Sequence, residues 1–137
     1  MSTQRSFRAS PSAYAVLCGP WFALAMLWAY ASLKSGTVQV TAILVCLLPG
    51  LLFAFWLRGF ALELHTDSFL YRSRFRKTHA ALYRDIAELT VSAAAPLTGN
   101  PLRGYLKLNS GDSFSINWKV FPREAHDSLS QHVRAAV

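Results

Sequence analysis

Residues Ala13–Leu33 (AYAVLCGPWFALAMLWAYASL) and Thr37–Leu57 (TVQVTAILVCLLPGLLFAFWL) decide how the rest of the chain is read. Each run is 21 residues long, neither contains a Lys, Arg, Asp, Glu or His, and only Lys34-Ser35-Gly36 separates them. At about 1.5 Å per residue, a helix of that length covers roughly 30 Å, the thickness of a bilayer's hydrocarbon core. In lipid every backbone N–H and C=O needs an internal partner, so a helix is the only form in which one such run crosses alone. The pair is predicted to be a transmembrane helical hairpin. A soluble helix buried on all sides has a similar composition, but two in succession without a charge would be unusual. The first run has a second reading, as a cleaved signal peptide, because Arg5 and Arg8 precede it and Ala29-Tyr30-Ala31 is an A-x-A-like site. Against cleavage, the run is longer than a usual signal h-region, and a second span follows after three residues.

The hairpin leaves 12 residues before it and 80 after it. Met1–Ser12 is polar and reads as a mobile tail. Arg58–Val137 is the part able to form a small water-soluble domain. The net charge is +7, and the tail from Arg58 carries 11 basic and 7 acidic residues, hence +4. With an anchor in the same chain, a basic balance points to an anionic membrane surface rather than to nucleic acid. Lys34 is the one cation between the spans, whereas Arg5, Arg8 and Arg58 flank their other ends, which predicts both termini on the cytoplasmic side. Cys18 lies 15 residues before Leu33 and Cys46 nine after Thr37. Their depths in a hairpin differ by about 9 Å, too far for a disulfide, so both read as packing residues. Gly19-Pro20 and Pro49-Gly50 fall at nearly one depth and read as points of local bending and close helix approach. Tyr14 and Trp56 stand where an interfacial aromatic belt is expected.

After Gly59 the pattern changes to alternation. Phe60, Leu62 and Leu64 point one way, and Glu63 and His65 the other, as in a half-buried strand. Phe69, Tyr71 and Phe75 continue the pattern after Thr66-Asp67-Ser68. Taking Asp67-Ser68 as a two-residue loop sets Leu64 against Tyr71, Leu62 against Ser73, Phe60 against Phe75 and Glu63 against Arg72. Lys77-Thr78-His79 reads as a polar break, and Leu82–Val91 as one or two further strands. Ala94–Arg103 is a predicted loop. Tyr105–Leu108 and Ser113–Trp118 form a second predicted hairpin through Asn109-Ser110-Gly111, setting Leu106 against Phe114. Pro122 then suits a first helical position, with Ala125, Leu129, Val133 and Ala136 as an apolar stripe and His132 at its edge.

The expected fold is thus a membrane α-hairpin followed by a small α+β domain, an antiparallel sheet or partial barrel closed by a C-terminal helix. In this order the chain resembles the bacterial pleckstrin-homology-like (PH-like) membrane proteins. The residues that carry the resemblance are Leu62–Arg72, Tyr83–Leu89, and the second hairpin with Phe121-Pro122 and its helix. The resemblance implies an inner-membrane location, a cytoplasmic PH-like domain and a barrel of seven strands, of which five or six are legible here.

The most distinctive group is Arg72-x-Arg74-x-Arg76-Lys77. Alternation places the three Arg on one strand face with Lys77 at its end. Arg suits bidentate contact with phosphate, so these four residues are the candidate site for anionic lipid headgroups or for a protein partner. A solvated face that blunts a sheet edge accounts for the same residues. The register buries Tyr71 and Phe75, leaving no stacking platform for nucleic acid. His65, His79, His126 and His132 are scattered without metal-binding spacing, and no Gly-rich phosphate loop or G-x-S-x-G occurs. His126-Asp127 on a helix reads as a surface pair rather than a catalytic dyad. The expected function is non-enzymatic, without a cofactor: a binding module on a membrane anchor. The alternative is an accessory subunit whose hairpin packs into a larger membrane complex.

Overall fold

The computed structural model describes residues 4–92 and 103–136, apart from the side chain of Arg76. The chain divides into two units, Pro11–Arg58 and a second built from the residues up to Ser10 together with those from Gly59 onward.

The first unit is a pair of helices, α1 (Pro11–Ser35) and α2 (Val40–Leu57). Both are long and apolar enough to cross a membrane, which is compatible with an anchor joined to a small domain. Three of the helix ends differ by two or three residues from the expected ones, and α2 ends at Leu57 as expected. Helix α1 runs on through Lys34, whose ammonium lies 5.5 Å from the centre of the Tyr30 ring and complements the helix C-terminus. Gly36, at φ +69°, takes the left-handed position just past the helix end. Ser32 Oγ then accepts from the Gln39 N–H at 3.1 Å, so the connection is a structured turn of four residues, 36–39. The helices approach closely at Gly50, where a Cβ would meet the Trp21 Cβ at 3.2 Å. That contact sets Pro49-Gly50 beside Pro20-Trp21, in line with the expected common depth. Cys18 and Cys46 are both free thiols.

The second unit contains, among the described residues, a four-stranded and a three-stranded antiparallel sheet with a C-terminal helix. The first sheet has the order β1 (Arg5–Arg8), β2 (Ala61–Leu64), β3 (Ser68–Ser73), β4 (Arg76–Leu82). The expected mobile tail is corrected here: Arg5–Arg8 is a strand, with Phe7 opposite Leu62 and Arg8 opposite Ala61. The Ser10 N–H also donates to the Val120 carbonyl at 2.8 Å. A four-residue segment with a single apolar side chain, Phe7, followed by an apolar helix carries little strand signal of its own. The edge of β2 supplies the order by offering its unpaired backbone groups.

The first hairpin has the expected strands but not the expected register. Leu64 faces Phe69, Leu62 faces Tyr71, Glu63 faces Leu70 and Ala61 faces Arg72. The loop is Thr66-Asp67, closed by the His65 N–H donating to the Ser68 carbonyl at 2.8 Å. A shift of two residues keeps every side chain on its face, so alternation cannot distinguish the two registers. Tyr83 selects one. Its N–H donates to the Asp67 carbonyl at 3.0 Å, and its hydroxyl to the His65 carbonyl at 3.0 Å.

Lys77-Thr78-His79 is not a break but the middle of β4, which bulges where Lys77 and Thr78 together oppose Arg72. Tyr83–Asp85 forms a single 3-10 turn leading into β5 (Ile86–Val91). β5 pairs with β6 (Gly104–Leu108), and β6 with β7 (Ser113–Ile116). The expected loop Ala94–Arg103 lies outside the described residues except for Arg103, whose carbonyl accepts from the Ser92 N–H at 2.8 Å. The second hairpin has the expected form, with Leu106 opposite Phe114 and Gly111 at φ +94°. Helix α3 (Arg123–Ala136) follows Pro122 and buries Ala125, Ser128 and Leu129, while Ala136 is exposed.

The core lies between the sheets and α3. Leu62, Leu64, Phe69, Tyr71, Leu106, Ile116, Trp118, Val120, Phe121 and Leu129 are all buried to 2 % exposure or less. Phe121 makes edge contacts with Phe60, Tyr71 and Trp118 at centroid distances of 6.2, 6.2 and 6.4 Å. Such edge-to-face pairs add to area burial. Gly104 lies under the Trp118 indole, with no room for a side chain.

Removing residues 1–8 should destabilise the domain by about 2 kcal/mol or more, since ladder hydrogen bonds contribute roughly 1 kcal/mol each. Amide exchange along Ala61–Leu64 should speed up in parallel. Unchanged exchange there would mean that β1 contributes no pairing.

Candidate functional site

The three Arg expected on one strand face, and Lys77 expected at its end, are divided among two strands and a turn. Arg72 is on β3, Arg74 and Phe75 form the turn, and Arg76 and Lys77 begin β4, with Arg76 opposite Ser73. The reason is where β2 begins. In the observed register Arg74 falls opposite Gly59, and residue 75 would fall opposite Arg58, the C-cap of α2. No strand remains for β3 to pair with, so it turns back. A Cβ on Gly59 would lie 2.9 Å from the Arg74 Cα, so Gly59 permits this close approach. The inward alternation therefore ends at Ser73, which is buried, and Phe75 is 74 % exposed instead of facing Phe60.

The structure gathers a different set of cations. Arg8 and Arg72 both pair with Ala61, from its two sides. At a strand spacing of about 4.8 Å they stand roughly 10 Å apart on the outer face of the sheet. Arg8, Arg72, Arg74 and Lys77 are all exposed. They share one end of the four-stranded sheet, the end at which the chain passes from β1 into α1 and returns from α2 into β2. The sequence lists Arg8 only as a tail cation. The pairing of β1 that brings it here is non-local and leaves no motif.

A cleft of about 540 Å³ lies at the opposite end, lined by Thr66, Asp67, Tyr83, Arg84 and His132 among others. Tyr83 is 2 % exposed. Burial, with a smaller contribution from the Asp67 carboxylate, pushes its phenol up to about 12. The His132 Nδ1–H donates to the Ser128 carbonyl at 2.7 Å, and its ring lies 5.2 Å from that of Tyr83. Both groups are thus committed to backbone carbonyls, an arrangement that holds the Thr66-Asp67 turn and the helix rather than one that moves protons.

His126 and Asp127 approach at 3.3 Å, but the surface reading of this pair is incomplete. The His126 ring stands edge-on to Trp118 at 5.2 Å, and its Nε2 is buried without a hydrogen-bond partner among the described residues. His79, expected in a turn, lies on β4 and stacks on Phe114 at 4.4 Å with the rings 5° from parallel. That pair lines a second recess, of about 370 Å³, with Tyr71 and Tyr105. Among the described residues no group of three His, Cys, Asp or Glu side chains could hold a metal ion. Compared with known proteins, the sequence matches no family model and no curated protein.

The raised phenol of Tyr83 has a definite sign. The folded state holds the proton more tightly than the unfolded state, so this contribution to stability is fully present below pH 10 and is lost as the pH rises towards 12. Tyr83→Phe should cost about 1 kcal/mol at neutral pH by removing the hydroxyl bond to His65. It should also flatten the loss of stability between pH 10 and 12, as followed by denaturant unfolding.

Proposed function

We propose that this chain is an integral membrane protein whose hairpin crosses the bilayer twice and carries a PH-like module that binds anionic lipid headgroups. The observation that carries this reading is the group of exposed cations Arg8, Arg72, Arg74 and Lys77 at the end of the sheet where the chain leaves for the hairpin and returns from it. Three residues, Arg58, Gly59 and Phe60, connect α2 to β2, so a spanning α2 would tether that end of the sheet to the membrane through a link of at most about 14 Å. Each Lys or Arg near an anionic leaflet contributes about 1 kcal/mol, so four of them suffice for a stable apposition. Arg76 belongs to the same stretch of chain and is included in the proposed site.

Sheets of four and three strands closed by a C-terminal helix support the PH-like reading, and β1 supplies the strand that brings the number to seven. The excess of cations on the terminal side of the hairpin over the single Lys34 in its turn supports a cytoplasmic domain, and the resemblance to PH-like membrane proteins is what suggests a bacterial inner membrane. The module is read as non-enzymatic, working through contact alone, with an acidic membrane-protein surface as the alternative occupant of the rim.

The test uses the full chain, because a fragment starting at Arg58 would lack β1. In neutral detergent, added anionic lipid should raise the melting temperature, and zwitterionic lipid should not. The rise should shrink between about 0.05 and about 0.5 M salt and disappear in Arg72→Ala/Arg74→Ala/Lys77→Ala. An equal rise with both lipids, or one that salt and the triple variant leave intact, would sink the lipid reading.

A further inference from the structure

We infer that Phe75 inserts into the bilayer interface, as an apolar wedge at the tip of the β3–β4 turn. This inference rests on the membrane reading above and goes beyond it, since a cationic rim alone would stay at the level of the phosphates.

Three observations carry it. Phe75 is 74 % exposed, unlike Phe60, Phe69 and Phe121, which are all in the core. A large apolar ring held in water at a turn tip serves no packing role in the domain. Secondly, the turn is not built from turn residues. Ser73 pairs with Arg76 across a two-residue loop, Arg74-Phe75, a position where Gly, Asn or Asp is favoured. None of the described non-Gly residues has a positive φ, so the loop does not use the left-handed conformations that such hairpins favour. A phenylalanine at this place is accounted for by what it touches outside the domain. Thirdly, the ring is placed within the rim. Arg74 and Arg76 flank it in sequence, and Arg72 and Lys77 follow on either strand. Gly59, the second residue beyond α2, packs against the backbone of Arg74, so the turn is fastened beside the point where the chain enters the domain from the hairpin.

Apolar side chains flanked by cations suit the boundary between headgroups and acyl chains, where amphipathic helices bury their apolar face about 5–10 Å deep. The cations hold phosphate while the ring leaves water. The turn would thus add a third point of attachment to the two chain crossings and fix the tilt of the domain on the surface.

The experiment places a nitroxide spin label at two positions of the full chain in vesicles containing anionic lipid. The parent is Cys18→Ala/Cys46→Ala; one variant adds Phe75→Cys and the other Thr78→Cys, at an exposed rim position on β4. Collision with oxygen, enriched in the acyl region, is compared with collision with a water-soluble nickel complex. The expected result is a several-fold higher oxygen-to-nickel ratio at residue 75 than at 78, with residue 78 at headgroup depth. Residue 78 at headgroup depth with residue 75 in water would overturn the insertion and leave the lipid-facing rim standing. Both labels in water would overturn the insertion and the lipid reading together. The exposure of both positions keeps the labels out of the core, and an unchanged melting temperature checks that each variant is folded.

Discussion

The pairing of β1 with β2 is the constraint on which the rest of this structure depends. A strand ending at Arg8 and a strand beginning at Ala61 are neighbours in one sheet, although a helical hairpin separates them in sequence. Backbone hydrogen bonds thereby hold Arg8 and Ala61, the strand residues on either side of the hairpin in sequence, about one strand spacing apart. An insertion with its ends so placed must leave and return at the same end of the sheet.

The same constraint shapes the charged end of the domain. Because β2 begins directly after α2, β3 has nothing to pair with beyond Ser73 and must turn at Arg74-Phe75. Because β1 pairs with β2, Arg8 joins Arg72 across Ala61. The collection of cations at that end and the exposure of Phe75 therefore follow from how the hairpin is spliced into the sheet. At the other end Tyr83 fills the corner between the sheets, holding the Thr66-Asp67 turn through two backbone carbonyls. Three of the four histidines of the domain are absorbed into this framework: His79 stacks on Phe114, His126 stands against Trp118, and His132 bonds to its own helix.

Where sequence reasoning succeeded, the determining forces were local. The apolar runs, the strands on either side of Thr66-Asp67, the Gly111 turn and the Pro122 helix start each carry their cause within a few residues. Alternation told which of Phe60, Leu62, Leu64, Phe69 and Tyr71 face inward, and all five are buried. It could not tell the register, because a shift of two leaves the faces unchanged. It also extended β3 through Arg76, since nothing in residues 72–77 marks the end of the partner strand. The three Arg expected on one strand face therefore fall on β3, on the turn and on β4.

The sequence by itself determined the pair of apolar helices, the presence of a small antiparallel domain with a closing helix, and the excess of cations near the hairpin. Length, hydropathy and side-chain period are properties of contiguous residues, and they suffice for these. Only the tertiary structure decided that Arg5–Arg8 is a strand, that β3 ends at Ser73, and that Phe75 faces outward while Arg8 stands beside Arg72. Each of these depends on hydrogen bonds between segments far apart in sequence, and such bonds are specified by which edges remain unpaired after the local elements have formed.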